Sequence, residues 1–227
     1  MIASQQEAKM AAGKKAAEWI QNGMIVGLGS GSTAECFIDA LIERCTKGLK
    51  IEAVASSRAS AERARKGGIA VMDINSVPRI DITVDGADEI DSEKRMIKGG
   101  GGAHVREKIL AAASKEMVVI VDESKVVGTI GKAKLPVEVL FFGSPATRKK
   151  IEEMGYKGKW RIQKDGTLFI TENGNLLFDI QFDSPPVSPE QDHFNLTQIP
   201  GVVDTGFFFK LAGRVIVGYP DGTSSVC

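Results

Sequence analysis

Charge of either sign in excess is the first thing this 227-residue chain lacks: 29 lysines and arginines stand against 29 aspartates and glutamates, a formal net charge of zero. No bulk field therefore draws it to nucleic acid or to an anionic membrane, and any attraction for an anion has to be local. Cysteine is scarce too. Cys36, Cys45 and Cys227 are an odd set at spacings that fit neither a zinc site nor a disulfide framework, so reduced thiols in a cytoplasmic protein are expected. With only His104 and His193 besides, the ligand count argues against zinc. No apolar run reaches membrane length, and the first twenty residues scatter charges where a signal peptide needs an unbroken apolar stretch. Internal repeats and low-complexity tails are absent as well.

What the chain does have is a rhythm of short apolar runs and helical patterns. Met10, Ala12, Ala16, Ala17 and Ile20 recur at helical spacing within 7–21, and Gly23 follows as a stop signal. Residues 24–28 read as a strand, Gly29–Thr33 as a glycine loop and 34–44 as a helix with Phe37, Ile38, Leu41 and Ile42 inward. Strands at 51–55, 70–72, 80–84 and 117–121 and helices at 59–66 and 103–115 continue the pattern. Such alternation predicts an α/β, Rossmann-like parallel sheet with helices on both faces.

Beyond about residue 132 the texture changes. A strand at 137–141, a helix at 145–154, strands at 160–163, 168–171 and 176–182, a helix at 189–198 and a strand at 202–209 follow in turn. Asp165-Gly166 and Asn173-Gly174 are hairpin signals between the middle strands. The order βαββαβ predicts a ferredoxin-like α+β subdomain inserted into the sheet domain, with 214–218 returning as a last core strand. The expected division is 1–131 plus 210–227 for the sheet domain and 132–209 for the subdomain.

In open parallel sheets ligands bind beyond the carboxyl ends of the strands. Five polar segments follow expected strands: Gly29–Thr33, Ser56-Ser57, Asp85–Glu89, Lys98–Gly102 and Asp122–Lys125. The reading is that all five converge on one edge.

Each segment carries its own chemistry. Backbone N–H groups and hydroxyls of Ser30, Gly31, Ser32 and Thr33 at a helix N-terminus suit an anion such as phosphate; the other reading is a tight turn with a Ser/Thr cap. Gly29, Gly31 and Ala34 also satisfy a dinucleotide pattern, yet Ser56-Ser57 stand where that reading wants an acidic residue to hold a ribose, so a monophosphate fits better. Asp85 and Asp88, separated by Gly86 and Ala87, can aim two carboxylates at sugar hydroxyls, hold Mg²⁺, or cap a turn. Four consecutive glycines, 99–102, lose more backbone entropy on folding than any other sequence would, which asks for a ligand lying against the backbone. Lys98 beside them supplies a fixed positive charge where an oxyanion could develop.

Glu107 has Ala103, Leu110 and Ala111 as its helical neighbours, an apolar face that desolvates a carboxylate and raises its pKa toward the range of a general base. A surface glutamate paired with a lysine is the plainer reading. His104 is a competing base or a helix-terminal residue, and Lys125 a substrate-holding or a solvated lysine.

Together, Gly-Ser-Gly-Ser-Thr-Ala at 29–34, Asp-Gly-Ala-Asp-Glu-Ile at 85–90, Lys-Gly-Gly-Gly-Gly at 98–102, Arg-Glu-Lys-Ile at 106–109, Ser-Lys at 124–125 and Ile-Pro-Gly-Val-Val at 199–203 resemble the A-type ribose-5-phosphate isomerases over essentially the whole chain. The resemblance implies interconversion of D-ribose 5-phosphate and D-ribulose 5-phosphate in the pentose phosphate pathway, without a metal or organic cofactor. It matches Glu107 to the proton acceptor and Asp85, Asp88 and Lys98 to sugar-handling and charge-stabilising positions. It matches Ser30–Thr33, Asp85 with Gly86, Ala87 and Asp88, Lys98 with Gly99, Gly100 and Gly101, and Lys125 to substrate-binding segments, and Lys9 to a phosphate contact. It also implies a cytoplasmic homodimer or homotetramer whose partner is a small sugar phosphate. The rival readings are a non-catalytic sugar-phosphate sensor, which would need a DNA-binding module that neither the composition nor residues 1–25 supply, and an NAD-dependent dehydrogenase.

Overall fold

The computed structural model describes residues 2–227. In chain order the elements are α1 (Ile2–Glu18), β1 (Ile25–Leu28), α2 (Ser32–Thr46), β2 (Glu52–Ala55), α3 (Arg58–Lys66), β3 (Ala70–Val71), β4 (Ile82–Asp85), β5 (Glu89–Ile90), β6 (Met96–Ile97), α4 (His104–Ala113) and β7 (Met117–Asp122). There follow β8 (Leu135–Val139), α5 (Ser144–Glu153), β9 (Gly158–Trp160), β10 (Leu176–Ile180), α6 (Pro189–Thr197), β11 (Val202–Thr205), β12 (Phe207–Phe208), β13 (Ala212–Gly218) and β14 (Ser224–Val226). Two compact units share the chain: one takes everything through Ala87, Arg106–Val126 and Leu211–Cys227, the other Asp88–Val105 and Val127–Lys210. Among the described residues no helix is long and apolar enough to cross a membrane.

The first unit is built on a seven-stranded sheet in the order β14-β13-β7-β4-β1-β2-β3. Every neighbouring pair is parallel except β13 with β14. Successive side chains of a strand point to opposite faces, and β2 shows what covers each. Ala53 joins a cluster with Phe37, Ile38 and Leu41 of α2 and Ala12 and Ala16 of α1, whereas Val54 packs with Ile80 and Leu110 of α4. Helices therefore lie on both faces, as a sheet of near-continuous apolar strands demands.

Helix α1 begins earlier than its apolar pattern predicts, because Ala, Gln, Glu and Lys are good helix formers without any periodic face. Its buried stripe is Ala8, Ala12 and Ala16, four residues apart. Small residues let backbones meet: a methyl group at Gly218 of β13 would overlap the Ala8 carbonyl, and one at Gly13 would lie 2.7 Å from the Phe37 nitrogen of α2. In α2, Phe37, Ile38 and Leu41 are fully buried, and each contributes about 1.5–3 kcal/mol of apolar burial.

Asp81 pins the start of β4 to β1. Its carboxylate accepts from the Ile25 N–H at 3.0 Å and from Lys115 Nζ at 2.9 Å, with Arg79 Nε 3.3 Å away. The Ile25 N–H first, then Lys115, hold this carboxyl below the usual aspartate range. A depressed folded-state pKa gives stability that is fully present above the unfolded value, near 3.9, and is lost as pH falls through the folded value. Asp81→Asn is thus expected to lower the unfolding free energy at pH 7 by about 1 kcal/mol, a gap that closes on acidification. Urea titrations of both proteins from pH 7 to pH 3 measure it; a gap independent of pH would refute the assignment.

The second unit contains a four-stranded antiparallel sheet in the order β11-β8-β10-β9, with α5 and α6 as the two connections. This is the expected βαββαβ arrangement. Its core gathers Leu135, Val137, Val139, Ile151, Phe178, Ile180 and Leu196. Gly166 and Gly174 take φ of 83° and 81°, which only glycine adopts at little cost, so the two hairpin dipeptides act as read. The expected strand at 168–171 reduces to the isolated bridges Ile162–Leu168 and Ile170–Leu176.

The expected strand at 202–209 splits. Gly206 stands between β11 and β12, and its missing side chain lets the Lys98 carbonyl come close; it also accepts from Lys98 N–H at 2.9 Å and donates to the Pro136 carbonyl at 2.7 Å. Downstream of it β12 pairs with β6, which pairs with β5, in a three-stranded sheet of its own. Residues 88–105 and 127–131, assigned by sequence to the first domain, accordingly cluster with the second unit. Glu89 reinforces that grouping, its carboxylate accepting from the N–H groups of Gly131, Lys132 and Ala133 at 2.6, 3.2 and 2.7 Å.

Candidate active site

Strand order locates the candidate residues of the first unit. From β1 the chain steps outward to β2 and β3, then returns to lay β4 on the other side of β1, so the order reverses between β1 and β4. Ligands of open α/β sheets bind at the carboxyl ends beside such a reversal. The residues found there are Gly29–Thr33 after β1 and Asp85 at the end of β4.

These two segments are bonded to each other. Asp85, fully buried, accepts on Oδ1 from Ser30 N–H at 3.1 Å and from Gly86 N–H at 2.7 Å. Ser30 Oγ lies 2.8 Å from Ser56 Oγ, at the end of β2, and Ser60 Oγ of α3 donates to the Gly29 carbonyl at 2.6 Å. The loop is therefore fastened from both neighbouring strands.

Gly31 is the N-cap of α2 with φ 93°, and no side chain caps the helix. The Ser/Thr-capped turn, open on sequence, is thus not what forms. First-turn N–H groups that lack a side-chain cap, together with the helix dipole, favour an anion. Lys9 of α1 adds charge, its Nζ donating to Ser32 Oγ at 3.0 Å. Lys125, half-buried, ends the single 3₁₀ turn after β7.

Gly29 has a sharper requirement than the loop's other glycine. A methyl group there would overlap the Asp85 carboxylate. Gly29→Ala is expected to cost about 1–3 kcal/mol by overpacking and to lower turnover by displacing Asp85. Urea unfolding and steady-state rates check both; a fully active, equally stable variant would mean that Asp85 has room to move.

Glu107 lies in the first turn of α4, within the residues of the first unit, and is 3 % exposed. Leu110 and Ala111, on its face of the helix, are buried as the spacing predicts. The plain alternative of a surface glutamate is thereby excluded by burial.

Asp88, Lys98, the glycine run and His104 belong to the second unit. Asp88 accepts on Oδ2 from Gly100 N–H at 2.8 Å, and its own N–H donates to the Ile97 carbonyl at 2.9 Å. Lys98 is 3 % exposed, with Nζ 5.4 Å from the centroid of the Phe208 ring. Gly99 and Gly102 have φ of 102° and 85°; beside Gly99 sits His104, fully buried, whose Nε2 is 3.4 Å from the Asp204 carbonyl. Lys98–Gly102 thus follows β6 of the three-stranded sheet, whereas the other four polar segments follow β1, β2, β4 and β7 of the parallel sheet. Among the described residues no three His, Cys, Asp or Glu side chains are gathered as a metal would require.

The family model described as ribose 5-phosphate isomerase A (phosphoriboisomerase A) matches residues 52–222. The chain belongs to that family. Ribose-5-phosphate isomerase A of Protochlamydia amoebophila is 49 % identical over 220 residues, 97 % of this chain and 95 % of the relative. The solved ribose 5-phosphate isomerase from Plasmodium falciparum superposes with a TM-score of 0.93 at 32 % identity, covering 98 % of each chain. A D-ribose-5-phosphate isomerase structure in complex with phospho-erythronic acid gives 0.92 at 33 % identity over 97 % of both.

Family membership makes the chain an aldose–ketose isomerase. Against that activity, sequence reasoning overlooked Ser60, a helix residue with no motif around it, which reaches the Gly29 carbonyl only because α3 follows β2 directly. Glu89, quoted within the Asp85–Glu89 segment, holds the 131–133 backbone.

Proposed function

We propose that this isomerase interconverts D-ribose 5-phosphate and D-ribulose 5-phosphate through a cis-enediolate, with Glu107 moving the proton. In the open-chain aldose, Glu107 takes the proton from carbon 2. The C–H electron pair becomes the second bond between carbons 1 and 2, and the carbonyl pair moves onto oxygen 1. A proton passes from oxygen 2 to oxygen 1, the carbonyl forms at carbon 2, and Glu107 returns its proton to carbon 1. Atoms and charge balance without a redox partner.

The observation that carries this reading is the buried carboxylate of Glu107 at the start of α4 in a pentose phosphate isomerase. The other roles follow from chemistry. Lys98 and the N–H groups of the glycine run supply positive charge for the oxyanion. Ser30–Thr33, Lys9 and Lys125 hold the phosphate. Asp85 and Asp88 handle sugar hydroxyls and ring opening, and Asp85 also keeps the first loop in place through Ser30. The phospho-erythronic acid of the solved relative carries a carboxylate where the enediolate carries charge, so it is expected to inhibit this chain competitively.

Turnover in D₂O tests the proton route. Solvent deuterium should appear at carbon 1 of the ketose, and a substrate deuterated at carbon 2 should react more slowly. Complete retention of the carbon 2 label at carbon 1, with no exchange, would indicate a hydride shift and overturn the proposal.

A further inference from the structure

The glycine run is held from behind by a residue that no motif marks. Arg161, the residue after β9, points one guanidinium nitrogen, Nη1, at two successive loop carbonyls: Gly99 O at 3.0 Å and Gly100 O at 2.9 Å. Its other two nitrogens are taken by Asp179 of β10, Nε to Oδ2 at 2.9 Å and Nη2 to Oδ1 at 2.5 Å. Both side chains are nearly buried, 16 % and 12 % exposed, and the guanidinium lies 5.8 Å from the Phe169 ring centroid. A bidentate pair of this kind fixes the plane and rotation of the guanidinium.

That plane has a consequence for the loop. No described peptide bond is cis, so each carbonyl has the next residue's N–H on the opposite side of its plane. With the Gly99 carbonyl drawn to Arg161, the Gly100 N–H faces away and meets Asp88 Oδ2. With the Gly100 carbonyl drawn to the same nitrogen, the Gly101 N–H also faces away from Arg161. Gly101 is exposed, and nothing stands within 4 Å of where a Cβ would project. The Gly99 carbonyl takes a further bond from Gly102 N–H at 2.9 Å, closing the turn.

We infer that Arg161, locked by Asp179, is a positioning residue for the isomerisation. It orients the 99–101 peptides so that the Gly101 N–H is presented to the developing oxyanion, and it removes loop freedom before substrate arrives. Glycine is the most entropic of residues, so a run of four presents a directed donor only if something outside the run fixes its carbonyls. This inference rests on the enediolate reading for its catalytic meaning, not for its geometry.

Arg161→Ala, Arg161→Lys and Asp179→Asn test it on ribose 5-phosphate. Removing one preorganised oxyanion donor costs about 10²–10³-fold in kcat, and loosening one without deleting it should cost less, about 10–100-fold. KM is expected to stay within about threefold of wild type. Lysine cannot bond two carbonyls and a carboxylate in one plane, so Arg161→Lys should restore little, whereas guanidinium ion at millimolar levels should restore part of the Arg161→Ala rate. Amide hydrogen exchange of 98–102, measured without substrate, should accelerate in all three variants while unfolding remains a single transition. Should Arg161→Ala fail to fold, Asp179→Asn carries the same comparison. Unchanged loop exchange, or unchanged kcat with an accelerated loop, overturns the inference. A failure of wild type to move protons through solvent would overturn the enediolate alone, because the exchange measurement needs no turnover.

Discussion

Glu107→Gln is expected to lower kcat by about 10²–10⁴-fold or more, with KM changed little and the folded state intact. The substitution keeps the shape of the side chain and removes its capacity to accept a proton from carbon. Glu107 is buried in α4 with Leu110 and Ala111 buried on the same helix face, and glutamine nearly matches its volume there. Steady-state kinetics and urea unfolding on one preparation decide the matter. Retained turnover would end the base assignment, and loss of cooperative unfolding would mark Glu107 as a structural residue.

Lys98→Ala is the second large effect, about 10²-fold on kcat and much less on KM. A charge that stabilises only the enediolate does little for the neutral carbonyl of the bound aldose. Lys98 is well placed for a fixed role: its N–H is bonded to the Gly206 carbonyl, its ammonium lies over the Phe208 ring, and the glycine run starts at the next residue. Lys98→Met, nearly equal in volume, separates lost charge from a cavity. If both variants keep kcat and raise KM, the lysine holds the ground state.

How much of this was readable before the structure depends on distance along the chain. The β1–loop–α2 passage was legible because strand, glycines and helix are consecutive and each is marked by residue type. The βαββαβ order was legible because Asp165-Gly166 and Asn173-Gly174 announce their turns locally. Glu107's burial was legible from the spacing of Leu110 and Ala111.

Pairing between distant segments was not. Strands β5, β6 and β12 are two residues long, too short for any alternation to register, and their pairing moves 88–105 into the second unit. Lys98–Gly102 was therefore read as a loop of the parallel sheet, when it follows a strand of the small one. Asp179 lies on β10 and Arg161, 18 residues earlier, directly follows β9, and only the register between those antiparallel strands sets them side by side.

The sequence of synthesis gives the interleaved chain a further meaning. Strand β13, whose Ile216 lies in the first unit's core and whose backbone pairs with β7, is made of residues 212–218 of 227. By then every residue of the second unit, which ends at Lys210, has been translated. A ribosome thus delivers the inserted unit whole before it delivers the strand that completes its host. A nascent chain that has emerged from the ribosome through about residue 211 should accordingly carry a finished guest and a sheet with β7 as its bare rim, and that interval is when the polypeptide is most open to pairing with a neighbour.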